Sequence, residues 1–334
     1  MPDSITEERL ARITLAAASE PGDAVTGALI ARVGAVETLA LVSSEGPLPH
    51  QIDPAEGSLW RRRLAPRIDL GQVDRIREVM EVRGLVMMTV EDLNWPAELQ
   101  QLGAHAPIAL WLSGTPSRLE GVSSRRIALV GARAATSYGE HVATQLAADL
   151  AEQGRIIVSG GAYGIDGAAH KAATMARPGA TVAILATGLD RFYPVGNQPL
   201  FERITETGGL ILSELPPGAA PTRWRFLQRN RLLAALAGAT VVVEAGYRSG
   251  SLNVAGQAHS LGRPVGAVPG PITSAASAGC HRLLQEGIAT VVTDARDASD
   301  LLDSTDPIGA GADRNFEFDF IQSRPRRLEP DISL

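Results

Sequence analysis

The stretch RIALVGARAATSYGEHVATQLAADLAEQGRIIVSGGAYGIDGAAHK, from Arg126 to Lys171, decides the fold of this chain. Two short apolar runs, 127–130 and 156–158, each end in a glycine-containing turn, and a segment with helical spacing follows each turn. The pattern predicts a strand–helix–strand–helix unit. Turns of this kind place backbone N–H groups and a helix N-terminus at the carboxyl edge of a parallel sheet, where anions bind.

The same alternation of strands and helices continues toward the C-terminus. Five further apolar runs predict strands, at 181–186, 209–213, 240–243, 264–268 and 289–292. Two upstream runs, 85–90 and 107–112, predict strands added at the edge of the sheet. Strands that alternate with helices favour an α/β fold with a doubly wound, mostly parallel sheet.

The bulk composition is that of a globular protein. The chain has 334 residues, of which 45% are hydrophobic and 20% charged, and this length is enough for two domains. The single cysteine, Cys280, excludes an internal disulfide and is typical of a reducing compartment. We find neither a signal peptide nor an apolar run long enough to cross a bilayer. We therefore expect a cytoplasmic protein without a membrane partner.

Three regions differ in their sequence pattern. Residues 1–80 have apolar residues at helical spacing, with a glycine break at Gly34, and predict a small helical domain similar to SAM or helix-hairpin-helix modules. Residues 85–297 carry the α/β pattern. Residues 298–334 contain many Gly, Pro, Arg and Asp residues, so we expect a mobile tail and no winged-helix domain.

Cations and hydroxyls follow several of the predicted strands. The formal net charge is -6, yet a local basic patch is enough to attract phosphates. Of the 31 basic residues only one is a lysine, Lys171, which lies after the second glycine turn, and Arg133 lies after the first. Together with Ser249-Gly250-Ser251 before a later helix, they suit phosphate binding. In the alternative interpretation, the serines and Asp166 only cap their helices.

The segment Arg223–Arg231 holds four arginines and two aromatic residues. That composition suits phosphate contact combined with base stacking. The alternative is that the aromatic rings enter the core and the arginines pair with carboxylates. We favour the core for Trp224 and Phe226, and binding for at least one of the arginines.

Several other classes of site lack support in the sequence. The closest match to the dinucleotide fingerprint, Ser159–Gly164, follows the second strand of its unit rather than the first, and no P-loop sequence occurs. The six histidines lack metal-ligand spacing, so we predict no metal and no cofactor. Glu244 ends a strand, where it is either a general acid or base or an acceptor for loop N–H groups.

Seven motifs occur in the order in which the DprA/Smf family of bacterial DNA-processing proteins carries them. They are Ile127–Arg133 with Tyr138-Gly139; Ser159–Asp166 with Ala169-His170; Gly188-Leu189-Asp190 with Tyr193-Pro194 and Asn197; Ser213-Glu214; Arg229-Asn230-Arg231; Val242–Ala245 with Ser249–Leu252; and Gly262–Val265 with Val268-Pro269-Gly270. The chain therefore resembles this family from about residue 127 to 270.

The resemblance implies an extended Rossmann-like fold that binds single-stranded DNA and has no catalytic residues. It further implies protection of incoming strands in natural transformation, loading of the RecA recombinase, and a homodimer with Leu283 and Leu284 in the self-association region. Arg133 and Lys171 become the principal DNA contacts. The complete predicted DNA-binding set is Gly131, Arg133, Ser159, Gly160, Gly161, Gly164, Lys171, Arg229, Arg231, Ser249, Gly250 and Ser251.

The sequence departs from the family pattern in two places, and a rival function stays open. Gly279-Cys280-His281 stands where the family commonly has Gly-x-Asn, and Arg133–Thr136 lacks a second basic residue and a proline. The rival is a related Rossmann-like hydrolase of nucleoside monophosphates, with Glu244 and Asp166 near a ribose. Its Pro-Gly-Gly-x-Gly-Thr signature is missing, because the corresponding segment reads Val268-Pro269-Gly270-Pro271.

Overall fold

The structure is a computed structural model that describes residues 6–50 and 52–303. Within these ranges, nine strands form one sheet and lie where the apolar runs predict them. In chain order the strands are β1 (Val86–Met88), β2 (Leu110–Gly114), β3 (Arg126–Gly131), β4 (Ile156–Ser159), β5 (Thr181–Leu185), β6 (Leu210–Ser213), β7 (Ala239–Glu244), β8 (Val265–Ala267) and β9 (Thr290–Val291).

The strand order across the sheet is β1-β2-β6-β5-β4-β3-β7-β8-β9. Strand β2 pairs antiparallel with β1 and β6, and all other neighbours are parallel. This confirms the predicted mostly parallel sheet with two strands added at one edge. The chain winds outward from β3 to β6 and then returns to place β7 on the other side of β3. Ligands of open α/β sheets bind at the carboxyl ends of strands where the order reverses in this way.

Helices flank the sheet and also form the N-terminal part of the described chain. They are α1 (Glu7–Ala18), α2 (Ala24–Ser43), α3 (Pro54–Leu64), α4 (Leu70–Arg83), α5 (Ser137–Glu152), α6 (Ile165–Ala176), α7 (Gln198–Glu206), α8 (Arg223–Leu236), α9 (Ser251–Ser260), α10 (Ala278–Gln285) and α11 (Ala295–Asp303). A 3₁₀ segment, Ala97–His105, lies between β1 and β2.

The two faces of the sheet bury alternate side chains of each strand, as the period of two requires. In β3, Ala128 and Val130 pack into a cluster with α8, α9 and α10. Ile127 and Leu129 pack on the opposite face with α5, α6 and α11. Both faces are therefore covered by helices, and the strand ends at the carboxyl edge stay available for a site.

Helix α2 breaks at the glycine that the sequence singles out. Gly34 has φ 82° and ψ 169°, which lie outside the helical region. The element Ala24–Ser43, with a mean hydropathy of 1.6, is nevertheless long and apolar enough to qualify as a membrane span. This corrects the expectation that no apolar run reaches that length. Because Gly34 divides it, each half is shorter than the roughly 20 residues that a span needs.

The C-terminal boundary of the α/β region also needs correction. The predicted tail begins at residue 298, but α11 continues to Asp303 and buries Ala298 and Leu301. These residues pack against the sheet because β8 and α5 leave an apolar surface there. The remaining part of the predicted tail, 304–334, lies outside the described residues. The division into domains at residues 80–85 stays a prediction.

Candidate nucleic-acid interface

The first of two clefts opens where the strand order reverses between β3 and β7. This Arg133 cleft has a volume of about 510 Å³ and is lined by Arg133, Asp166, Phe226, Arg248 and Ser251 together with neighbouring residues. Its walls are the turns after β3 and β7, the first turn of α6 and the first half of α8. The cleft lies at the position that the topology predicts for a ligand site.

Arg133 is exposed at this cleft and lies against an aromatic ring. Its guanidinium carbon is 4.5 Å from the centroid of the Phe226 ring, within cation–π range. Phe226 is half-buried, and its ring is also 5.8 Å from the guanidinium carbon of Arg229. Within the described residues Arg133 forms no ion pair, so its charge is available to an anion.

Glu244 holds the turn that carries Arg133. Its carboxylate accepts a hydrogen bond from the backbone N–H of Thr136 at 2.8 Å and one from the Thr136 hydroxyl at 2.6 Å. A Cβ at Gly139 would lie 2.6 Å from the same carboxylate, so the close approach depends on glycine. Glu244 is buried. Its contacts fit the acceptor role that the sequence left open beside the acid–base role.

Two buried ionisable groups form the floor of the Arg133 cleft. Burial raises the pKa of the Asp166 carboxyl, and the nearby Arg229 guanidinium partly opposes this shift. Burial lowers the pKa of Arg229 to about 10, so it stays charged at neutral pH. Asp166 also accepts a hydrogen bond from the backbone N–H of Ala162 at 3.3 Å, and this bond secures the turn before α6.

The second cleft adjoins the first along the turn before α6. This Lys171 cleft has a volume of about 450 Å³ and is lined by Lys171, Tyr163, Gly164, Glu140 and Asn197 together with neighbouring residues. Lys171 is exposed and, within the described residues, forms no ion pair. The two unpaired cations thus lie in neighbouring clefts.

Gly164 separates the two clefts and has to be a glycine. Its φ is +70°, and a Cβ there would lie 2.4 Å from the carbonyl oxygen of Ala132 and 2.6 Å from that of Arg133. The strained conformation and the backbone contact both exclude a side chain. Gly164 therefore lets the Arg133 turn and the start of α6 meet.

The turn Ser249-Gly250-Ser251 contributes the remaining rim of the Arg133 cleft. Ser249 and Gly250 are accessible, whereas Ser251 is mostly buried at the first position of α9. The hydroxyls of Ser249 and Ser251 are 2.8 Å apart and bond to each other. The helix N-terminus and its hydroxyls lie on the same cleft as Arg133, and the positive end of the helix dipole favours negative charge there.

The structure corrects the assignment of Arg231 as a DNA contact, whereas the assignment of Arg229 stays a prediction. Arg229 is buried and donates hydrogen bonds to the carbonyl oxygens of Gly160, at 2.7 Å, and Ile184. Arg231 is buried in an ion pair with Glu214, at 2.6 Å. The Arg231 guanidinium is enclosed by these groups and cannot neutralise phosphates at the surface, whereas Arg229 still lines the floor of the Arg133 cleft.

Three residues of the predicted DNA-binding set lie at the end of β4 and line neither cleft. Ser159, Gly160 and Gly161 are buried, which corrects their assignment as direct contacts. The Ser159 hydroxyl donates to the carbonyl oxygen of Leu129 at 2.6 Å, and Gly160 leaves room for Arg229. Gly131 is half-buried and lines the Arg133 cleft, and its contact with DNA stays a prediction.

The predicted self-association residues differ in their environment. Leu283 is 1% exposed and packs in the core of the protomer, so its assignment to an interface is corrected. It points inward because α10 covers the apolar face of β7 and β8. Leu284 is half-buried, and its role in an interface stays a prediction.

Sequence reasoning missed several aromatic residues at the two clefts. Phe226 and Trp224 were expected in the core, but Phe226 lines the Arg133 cleft and Trp224 is 48% exposed. Arg223 is exposed at the same cleft, and the expectation that one arginine of this segment binds stays a prediction. Tyr163 and Tyr247 are exposed in the two clefts. Their position in the turns that follow strands β4 and β7 is the signal that could have identified them.

The fold and the clefts define a class of protein, namely an α/β protein with a cationic crevice at the reversal point of a doubly wound sheet. The family model of DNA recombination-mediator protein A matches residues 86–303. The chain therefore belongs to this family, and the resemblance to DprA/Smf proteins is confirmed.

Individual relatives cover most of the chain. A protein of Mycobacterium tuberculosis designated DprA is 47% identical over 296 residues, which are 85% of this chain and 72% of that protein. The DNA processing protein DprA of Streptococcus pneumoniae is 38% identical over 226 residues, covering 68% of this chain and 77% of that protein.

Solved structures of the family share the fold. The X-ray structure of DprA from Streptococcus pneumoniae matches with a TM-score of 0.69 and 30% identity, over 88% of this chain and 97% of that chain. A structure of DNA processing protein A from Helicobacter pylori, a protein described as having a single-stranded DNA binding mode, matches with a TM-score of 0.58 and 30% identity. That match covers 65% of this chain and 95% of the Helicobacter pylori chain. The extended Rossmann-like fold class is thereby confirmed.

Proposed function

We propose that this protein binds single-stranded DNA without sequence preference at the Arg133 and Lys171 clefts. One observation carries the proposal: Arg133 and Lys171 are both exposed, lie in adjoining clefts at the carboxyl edge, and form no ion pair within the described residues. Unpaired cations near helix N-termini suit the phosphates of a polynucleotide. The single-stranded DNA binding mode described for the Helicobacter pylori relative supports the choice of a single strand.

The wider role follows from membership of a family of recombination mediators. We infer that the protein protects incoming single strands in natural transformation and delivers them to the RecA recombinase as a homodimer in the cytoplasm. The family description supports a role in recombination. Half-buried Leu284 on α10 is the residue through which we propose self-association.

A non-catalytic role fits the geometry of Glu244, whose carboxylate accepts two hydrogen bonds from Thr136. One observation favours the rival hydrolase. Asp166 is a buried carboxyl with a raised pKa in the Arg133 cleft, and such groups often occur at catalytic sites. Incubation with nucleoside monophosphates separates the two functions, because release of free base would establish the hydrolase.

The test of DNA binding is the affinity of two variants for a labelled oligonucleotide across a salt series. We expect Arg133→Ala and Lys171→Ala each to weaken binding about tenfold or more, since a hydrogen bond to a charged group contributes about 1.5–3 kcal/mol. Each should also reduce the slope of log K against log salt by about 0.7, the value for one phosphate of a single strand. Fluorescence anisotropy measures both quantities.

Arg125→Ala is the matched control. Arg125 is an exposed arginine directly before β3, and therefore lies at the amino edge of the sheet, opposite the clefts. Its loss should leave affinity and salt slope unchanged. Unchanged binding in both cleft variants, or equal losses in the control, would contradict the proposed site.

A further inference from the structure

The Lys171 cleft contains an exposed aromatic ring that phosphate binding does not explain. Tyr163 is 49% exposed and lines the cleft beside Lys171. Its hydroxyl accepts a hydrogen bond from the backbone N–H of Gly196 at 3.1 Å. A Cβ at Gly196 would lie 2.6 Å from this hydroxyl oxygen, so the end of the ring rests directly on the glycine backbone. The ring is thus held in place while much of its surface faces solvent.

The backbone that carries Tyr163 is fixed as well. The side-chain amide of Asn197 donates hydrogen bonds to the carbonyl oxygens of Gly161, at 3.0 Å, and Ala162, at 3.1 Å. These carbonyls belong to the two residues that precede the tyrosine. Gly196 and Asn197 therefore hold both the ring and its turn, and a ligand would meet a preorganised aromatic surface.

The charges of the Lys171 cleft limit which ligand groups can bind beside the Tyr163 ring. Lys171 is its cation, and Glu140 contributes a carboxylate from α5. This carboxylate disfavours a second phosphate, so the cleft does not suit a groove that follows the backbone of a duplex. The Lys171 cleft therefore suits one phosphate, bound by the Lys171 ammonium, and one uncharged base, placed against the Tyr163 ring.

We propose that Tyr163 is a stacking platform for one base of the strand whose phosphate Lys171 binds, and that it selects single-stranded over double-stranded DNA. The inference rests on the proposed function. A base in a duplex is covered on both faces by its neighbours, whereas a base of a single strand offers a free face to the ring. Stacking of this kind tolerates any sequence, because every base has such a face.

The test compares an oligodeoxythymidylate with an abasic strand of equal length, which retains the phosphates and lacks the bases. Tyr163→Ala should weaken binding of the intact strand about tenfold, the size expected for loss of one base–aromatic stack. It should leave the abasic affinity and the salt slope unchanged. Tyr163→Phe, which keeps the ring, should bind the intact strand within about twofold of the natural protein. The preference for a single strand over a duplex should fall in the alanine variant only.

Gly196→Ala provides a second variant, which displaces the ring without removing it. Gly196 lacks a positive φ, so alanine is compatible with the backbone, and its Cβ would displace the hydroxyl end of the Tyr163 ring. We expect weaker binding of the intact strand by Gly196→Ala, and no further loss when it is combined with Tyr163→Ala. Circular dichroism confirms that each variant is folded.

The outcomes separate this inference from the function on which it rests. If Lys171→Ala weakens binding of both strands but Tyr163→Ala weakens neither, the stacking role is overturned and DNA binding stands. Equal losses on intact and abasic strands in Tyr163→Ala would also overturn it. Failure of the natural protein to bind the intact strand would overturn both.

Discussion

At the scale of single residues, the guanidinium of Arg231 is enclosed by acceptors. It donates to both carboxylate oxygens of Glu214, at 2.7 and 2.6 Å, and to the carbonyl oxygens of His105 and Gln228, both at 2.8 Å. Arg231 and Glu214 are both buried. A buried charge of this kind is tolerated only when its partners are complete.

Removal of one partner should therefore lower the free energy of unfolding much more than removal of both. We expect Arg231→Met to lower the free energy of unfolding by about 3–5 kcal/mol, because Glu214 is left as an uncompensated buried charge. The double variant Arg231→Met with Glu214→Leu should recover most of this loss. Urea denaturation followed by circular dichroism measures both effects.

The ion pair between Arg225 and Glu20 supplies the control for the buried pair. Its side chains are partly exposed, 18% and 36%, so Arg225→Met should lower the free energy of unfolding by less than about 1 kcal/mol. An equal loss for the exposed and buried arginines, or no recovery in the double variant, would contradict the structural role of Arg231.

The basic residues also show which part of the site the sequence cannot predict. Arg133 and Lys171 could be assigned to the edge of the sheet because each follows a strand by a glycine turn. Arg229 and Arg231 lie in a helix, and their environment depends on which carbonyls and carboxylates the tertiary fold brings near them. Nothing local in the sequence separates an arginine that faces Gly160 and Ile184 from one that faces a phosphate.

At the scale of elements, the sequence predicted all nine strands because apolar runs and glycine turns are local signals. It did not predict that β3 lies between β4 and β7, since the pairing of β3 with β7 joins residues more than a hundred positions apart. This pairing brings the turn of Arg133 beside the turn of Ser249 and creates the Arg133 cleft. The site was therefore predictable as a set of strand ends and not as a cavity.

The N-terminus of α9 permits a test in which stability and binding change in opposite directions. Ser249→Asp places a negative charge beside this N-terminus, which should stabilise the helix by about 0.3–1 kcal/mol. The same charge repels phosphate, by about 1 kcal/mol at about 4 Å in water, so DNA affinity should fall about fivefold. Urea denaturation and fluorescence anisotropy measure the two effects on one protein.

Ser260→Asp makes the same chemical change at the other end of α9. Ser260 is exposed and is the last residue of the helix, where a negative charge meets the unfavourable end of the helix dipole. We expect slightly lower stability and unchanged DNA affinity. Weaker DNA binding in Ser260→Asp, or unaltered binding in Ser249→Asp, would place the phosphates elsewhere.

At the scale of the whole molecule, the N-terminal helices share a core with the sheet. Ile13 and Ala16 of α1 belong to one buried cluster with Trp111 of β2 and Ile211 of β6. The loop between α1 and α2 also contacts α8, where Arg225 donates to both carboxylate oxygens of Glu20, at 2.9 and 3.1 Å. The amphipathic pattern predicted the helices of residues 1–80, but not that part of their apolar surface is covered by the α/β region.

Because this core is shared, we expect the described chain to unfold as one cooperative unit. Pulse-labelled hydrogen exchange across a urea series should give the same midpoint for peptides from α2 and from β5. Ile13→Ala removes a fully buried side chain from the shared cluster and should lower the free energy of unfolding by about 2–5 kcal/mol, shifting both midpoints together. A lower midpoint for α2 alone would mean that residues 1–80 unfold as a separate domain. The shared cluster would then couple the two regions too weakly for either to depend on the other.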